Sequence, residues 1–261
     1  MKQRMSSEFI FQIFALLITV VVVHAIYIGA IRPSADAQLQ QQAEQQAAGM
    51  EVTSNRSIVV VIRDFEQEAC FILLFWALAI MGYKGRKTLR ERELLERSLL
   101  DIPEGTSVLP EDAREFSRTL EALPEHEQDY LLPRTLLSAL QRFATTGSIQ
   151  AVSDTVKENC EAESDRLDSE MSMVRYIAWA IPSIGFIGTV RGIGDALGQA
   201  YKAVEGDISG VTASLGVAFN STFVALMLSI IIMLCLHQLQ LSQERLVLDC
   251  QRHVDKKLMR F

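Results

Sequence analysis

Proline is scarce in this 261-residue chain, with six in all, and the two-residue alternation of half-buried strands is hard to find. A β-sheet architecture is therefore excluded. Four cysteines occur without a CxxC pair or a nearby set of histidines, which excludes both a zinc site and a disulfide framework. Cys70 and Cys235 lie in apolar runs, where a thiol behaves as a small hydrophobe. No basic patch exists: the net charge is −7, and Lys and Arg gather at the ends of apolar runs. This disfavours nucleic acid as a partner. No constellation of nucleophile, base and orienting group is visible, so the chain does not read as an enzyme and calls for no cofactor or metal.

Apolar residues make up 49% of the chain and charged residues 22%, with mean hydropathy +0.18. The averages decide little, but the distribution decides a great deal. Long uncharged runs alternate with stretches dense in Glu, Arg and Gln, the pattern of membrane spans between solvated segments. The expected fold is an all-α membrane protein with four transmembrane helices, some extending as long helices into a cytoplasmic helical domain.

The first run, Phe9 to Ile31, is interrupted only by Gln12 and His24. At about 1.5 Å per residue it crosses roughly 30 Å of hydrocarbon. Lys2 and Arg4 before it, and Val-His-Ala at 23–25, also fit a cleaved leader, but the continuation to Ile31 exceeds a usual signal core. His24 reads as an interfacial side chain, with a proton relay as the alternative. The second span, 69–83, is short, and is expected to borrow from Ile58–Ile62 or to tilt little. Spans three and four cover about Val174–Leu197 and Val211–Leu236.

Lys84, Arg86, Lys87, Arg90 and Arg92 crowd the exit of span two, and Arg245, Arg252, Lys256, Lys257 and Arg260 follow span four. The positive-inside bias then puts both termini in the cytoplasm, with residues 32–68 and 198–210 outside. The division that follows is 1–31, first transmembrane helix; 32–68, periplasmic segment; 69–83, second; 84–173, cytoplasmic helical domain; 174–236, a channel-like hairpin; 237–261, a cytoplasmic C-terminal helix. Within the insert, the basic stretch Lys84–Leu100 prolongs span two before an IPEG turn at 102–105. A second helix is expected from Pro110 to about Leu123. Ser148 caps a third, flowing into span three without a break. The Gln-rich stretch 38–48 is either a polar helix or disordered and has no assigned function.

The hairpin holds most of the information. Span three reads IPSIGFIGTVRGIGDALG, with five glycines inside a helix, each costing roughly 1 kcal/mol against alanine. In a membrane the usual reason is close packing: Gly188 and Gly192 form a GxxxG pair, as do Gly194 and Gly198, and Gly185 and Ala196 extend the small face. Pro182 is expected to kink the helix. GIGDALG loosely matches a dinucleotide fingerprint, but that motif needs a preceding strand. Span four has a small and polar stripe of Ser214, Ala218, Ser221, Thr222, Ala225 and Ser229. Residues equidistant from the loop of an antiparallel hairpin share a depth, and Thr189 and Thr222 are centred on the YKAVEGDISG loop. Packing alone, and packing plus a hydrated ion path, both fit this pattern. Arg191 and Asp195, four apart, can form an interfacial charge pair, with cation steering or partner contact as the alternative.

The stretch from Pro182 to Ile193, PSIGFIGTVRGI, resembles the second-last span of the MotA/TolQ/ExbB proton-channel family, closest in motif to TolQ and ExbB. Gly216–Leu226, GVAFNSTFVAL, resembles the last span, and the four-span layout is similar to MotA. The resemblance covers Arg175 to Leu236. It implies an ion path at Thr189 and Thr222 with neighbouring Ser221 and Asn220, and packing at Pro182, Gly185, Gly188, Gly192, Ala218 and Ala225. It also implies a homopentamer in membrane lipid around a dimer of a single-span ExbD/TolR/MotB-like subunit bearing a membrane aspartate. Together they would form a proton-driven motor or stator. There are departures. TolQ and ExbB usually carry a glutamate five residues before the last-span threonine, where this chain has Val217. They often have Trp after GTV, where this chain has Arg191. A non-conducting scaffold with a tightly packed hairpin is the alternative.

Overall fold

The computed structural model describes residues 2–47, 57–97, 99–100 and 109–258. Every regular element among them is helical. In chain order these are α1 (Lys2–Ile26), a π-helical turn (Tyr27–Ile31), α2 (Arg32–Ala47), α3 (Ile58–Val61), α4 (Phe65–Glu96), α5 (Ala113–Glu121), α6 (Glu125–Gln128) and α7 (Leu131–Thr146). They continue with α8 (Ile149–Glu170), α9 (Ser172–Gly198), α10 (Ala200–Val204) and α11 (Ser209–Leu258). The expected turn at 102–105 lies outside the described residues. The chain divides into two units, Met1–Met81 with Met173–Leu236, and Gly82–Ser172 with His237–Phe261.

Among the described residues, four helical stretches are long and apolar enough to cross a membrane: Glu8–Gln42, Phe65–Glu96, Ile149–Gly198 and Ser209–Lys256. In the first unit, Phe14, Leu17, Val21, Phe186, Ile187, Phe219, Phe223 and Ile230 are all exposed. Exposed apolar surface on this scale is stable only in lipid or against another apolar partner. The chain is an all-α, multi-pass membrane protein.

Several expectations are refined by local chemistry. The second span does not borrow from Ile58–Ile62. It begins at Phe65 and gains length toward Glu96, with Glu66 and Glu68 in its first turn, where carboxylates favour the helix dipole. The Gln-rich stretch is helical through Ala47. In α2, Pro33 has no N–H to offer Gly29, and the preceding turn widens so that Arg32 N–H bonds Tyr27 O. α8 and α9 are separated by Met171 alone, so the expected unbroken rod lapses for one residue. α9 runs through Pro182, which cannot donate to Ala178 O. That carbonyl is served instead by Ser229 Oγ of α11 at 3.1 Å.

The second unit is built on an aliphatic helical core. Leu120, Leu131, Leu136, Leu140, Val152, Val156, Cys160, Val247, Cys250 and Val254 are buried together. Gly147, at φ 60°, ends α7 in the left-handed conformation that favours glycine. Ser148 caps α8 as expected, accepting from Ala151 N at 3.4 Å. The expected helix from Pro110 is shorter, Ala113–Glu121, and α7 was not anticipated. Buried charges are paired: Lys84 bonds Glu170 at 2.7 Å, and Glu163 accepts from Arg134 at 2.7 Å and from Arg166. Glu91 accepts from Leu131 N at 3.2 Å, serving an orphan donor at the start of α7.

The Pro182–Ser229 relation gives a coupling test. Ser229→Ala leaves Ala178 O unpaired and is expected to cost about 1 kcal/mol. In a Pro182→Ala background, the restored backbone N–H supplies the bond and the cost vanishes. Thermal unfolding in detergent of the two single variants and the double variant measures this coupling.

Candidate functional site

α9 and α11 meet along a seam of small residues. A methyl at Gly185 would collide with Ala225 Cβ, one at Gly188 would lie 2.6 Å from Ser221 Cβ, and one at Gly192 2.8 Å from Ala218 Cβ. The pairs run antiparallel about the loop, as spacings of three and four residues on facing helices require. Gly185, Gly188, Gly192, Ala218, Ser221 and Ala225 are all buried there. Gly194 and Gly198 have nothing within 4 Å, so the second GxxxG pair does not face this seam.

Thr189 and Thr222, expected at one depth, are in direct hydroxyl contact. Thr189 Oγ1 lies 3.0 Å from Ala218 O and 3.3 Å from Gly185 O, and Thr222 Oγ1 lies 3.2 Å from Gly185 O. Two hydroxyl protons cannot serve all these contacts at once. The pair can therefore exchange backbone donation for mutual donation, leaving an oxygen free to accept. Both side chains are half-buried. Ser221 Oγ donates to Val217 O at 2.9 Å and accepts from Gln67 Nε2 at 3.4 Å. Asn220 is half-buried but, two residues from Thr222, points roughly 160° away around the helix.

The Arg191–Asp195 pair is corrected. Arg191 forms a two-pronged ion pair with Glu66 of α4, Nε to Oε1 at 2.8 Å and a terminal nitrogen to Oε2 at 2.9 Å. Glu66 is largely buried, whereas Asp195 is exposed and its backbone carbonyl accepts from Gln199 at 3.3 Å. A planar guanidinium matches a carboxylate bidentately, and the partly desolvated partner is the stronger one.

No site role was read from the sequence for Glu66, Gln67 or Glu68, which open α4. Successive helical residues point about 100° apart, so three neighbours can reach three directions. Glu66 reaches Arg191 on α9, Gln67 reaches Ser221 on α11, and Glu68 reaches His24 at 2.5 Å and Arg32 beyond the π-turn. Glu68 is buried, and Arg32 also lies over the Phe65 ring at 4.3 Å. The available signal was three polar residues opening an apolar helix. Just before them, burial pushes the Asp64 carboxyl above its ordinary value, with Arg63 and Arg191 opposing. Among the described residues, no group of three or more His, Cys, Asp or Glu side chains is placed to hold a metal ion.

Apolar spans around a hydroxyl-bearing, glycine-packed hairpin define a polytopic membrane protein. A family model described as the MotA/TolQ/ExbB proton channel family matches residues 127–252, extending on both sides of the hairpin. Over this stretch the chain is similar to that family, which is one of channel-type membrane subunits rather than enzymes. Members of that family are proton-channel-type membrane subunits of energy-transducing complexes. Neither the curated proteins nor the solved structures contain a match.

Glycine substitutions separate the seam from the open faces. Gly188→Ala places a methyl against Ser221 and is expected to destabilise by about 1–3 kcal/mol. Gly216→Ala, with nothing within 4 Å, is expected to be neutral or stabilising by up to about 1 kcal/mol. Thermal unfolding of both variants in one detergent provides the comparison.

Proposed function

We propose that this chain is the multi-span subunit of a proton-driven, pentameric membrane motor or stator, coupling the ion-motive force to mechanical work. The observation that carries this reading is the contact between the Thr189 and Thr222 hydroxyls inside the family-matched hairpin. Thr189, Thr222 and the adjoining Ser221 are assigned to the ion path; Asn220, expected there from the resemblance, is turned roughly 160° from Thr222 around α11 and is left out of it. Pro182, Gly185, Gly188, Gly192, Ala218 and Ala225 keep the path narrow. Hydroxyls that both donate and accept suit a water wire or a carboxylate that gains and loses a proton. This chain's own carboxylates Glu66 and Glu68 are held by Arg191, His24 and Arg32. The carrier is therefore assigned to a partner, a dimer of a single-span subunit with a membrane aspartate. The transmembrane potential supplies about 2.3 kcal/mol per charge per 100 mV, so several ions per cycle sustain mechanical work.

The proposed setting is the bacterial inner membrane with both termini cytoplasmic, residues 32–68 and 198–210 outside, and the domain division given above. Cys160 and Cys250 are buried and cannot report sidedness. Exposed positions can. An impermeant thiol reagent applied to intact cells is expected to label Glu205→Cys and to spare Glu161→Cys. The reverse labelling overturns the orientation.

The scaffold reading has one observation in its favour: the threonine hydroxyls already have backbone acceptors. Flux decides between the two. Valine keeps threonine's shape without its hydroxyl, and membrane hydroxyl bonds average only about 0.6 kcal/mol, so assembly should survive. Thr189→Val and Thr222→Val are expected to leave a five-copy assembly by native mass spectrometry. Proton flux in proteoliposomes holding the complex purified through this chain is expected to fall strongly. Wild-type flux from both variants removes the threonines from the path.

A further inference from the structure

Resting on the ion-path reading, we infer that the Glu66–Arg191 ion pair is an electrostatic gate at the loop end of the seam, setting cation access to Thr189 and Thr222. Arg191 follows Thr189 by two residues, about 3 Å along the α9 axis and roughly 160° around it, on the flank of the seam that α4 covers. Glu66 belongs to a different helix, and its Cγ would lie 3.1 Å from a methyl at Gly188, so the pair is bound to the seam itself. Gln67, the next residue, fastens the same turn of α4 to Ser221. The guanidinium therefore acts on a cation near the threonines through space, from the α4 side of the seam.

Paired, that guanidinium is neutralised through two bonds at 2.8 and 2.9 Å. Unpaired, it repels the permeating ion. At an effective dielectric constant of about 20 and a separation of about 10 Å, like charges repel enough to lower cation occupancy roughly tenfold. Two further carboxylates lie near Arg191: Asp64 is turned to Arg63 at 3.8 Å and is largely desolvated, and Asp195, one turn along α9, is exposed to solvent screening. Glu66 is thus the group that determines whether Arg191 acts as a barrier.

A gate and a structural strap predict different symmetries. If the pair only fastens α4 to α9, removing either partner does similar damage, and the loss follows assembly. If the pair gates, the two single variants diverge. The test reconstitutes the full complex, purified through a tag on this chain, into proteoliposomes. Proton flux is read by an entrapped pH dye under an imposed potential, and assembly is checked by native mass spectrometry of the same sample. Glu66→Gln is expected to lower flux about tenfold with assembly retained. Arg191→Gln is expected to raise it, and the double variant to recover from the Glu66→Gln loss.

Equal losses from both single variants, or no recovery in the double, overturn the gate and leave the ion-path reading standing. Should Glu66→Gln fail to assemble, Arg191→Gln alone decides, since reduced flux from an assembled Arg191→Gln complex contradicts a cationic barrier. Absence of flux from the wild-type complex, with a control channel active in the same vesicles, defeats the ion-path reading and the gate with it.

Discussion

Close approach of α9 and α11 is the constraint from which the rest of the membrane unit follows. Lipid offers no hydrophobic reward for bringing two apolar helices together, so contact must come from packing and from bonds that need short distances. Glycine at 185, 188 and 192 removes the side chains that would hold the helices apart, and Ala218, Ser221 and Ala225 supply a shallow opposing surface. Only at this separation can Thr189 reach Ala218 O, Thr222 reach Gly185 O, and the two hydroxyls meet. Ser229 completing the carbonyl freed by Pro182 depends on the same proximity.

α4 closes the arrangement from the side. Its opening residues bond outward in three directions, to α9, to α11 and to the first membrane helix. These are charged and amide groups in a largely desolvated setting, where a missing partner is costly and a satisfied one orients the helix. The same turn therefore does two things: it fixes the register of the second span and it places a charge pair beside the hydroxyls. The second unit has a different physical basis, an aliphatic core with paired buried charges and capped helix ends.

Much of this was legible in the sequence because membrane physics writes itself in composition. Four apolar runs, the glycine spacing in span three and the small stripe in span four are one-dimensional signals with a direct three-dimensional meaning. The equal depth of Thr189 and Thr222 followed from counting outward from the loop. Ser148 announced a helix start because its hydroxyl suits an orphan backbone N–H. The sequence misled where a choice of partner was involved. Arg191 has a carboxylate four residues on at Asp195, and local spacing favours that pair, but α4 brings Glu66 to it with better geometry. The Gly194–Gly198 pair matched the same packing motif as Gly188–Gly192 yet lies on an open face.

By itself, the sequence determined the helical membrane class, the four spans and the residue types lining the hairpin, since hydropathy, helix periodicity and steric size are properties of the chain at each position. Tertiary structure decided which faces meet: that Glu66, Gln67 and Glu68 each serve a different neighbour, that Ser229 answers Pro182, and that Arg191 turns to α4. Those outcomes depend on distances between segments tens to more than a hundred residues apart, and a pattern read along the chain carries no such distance.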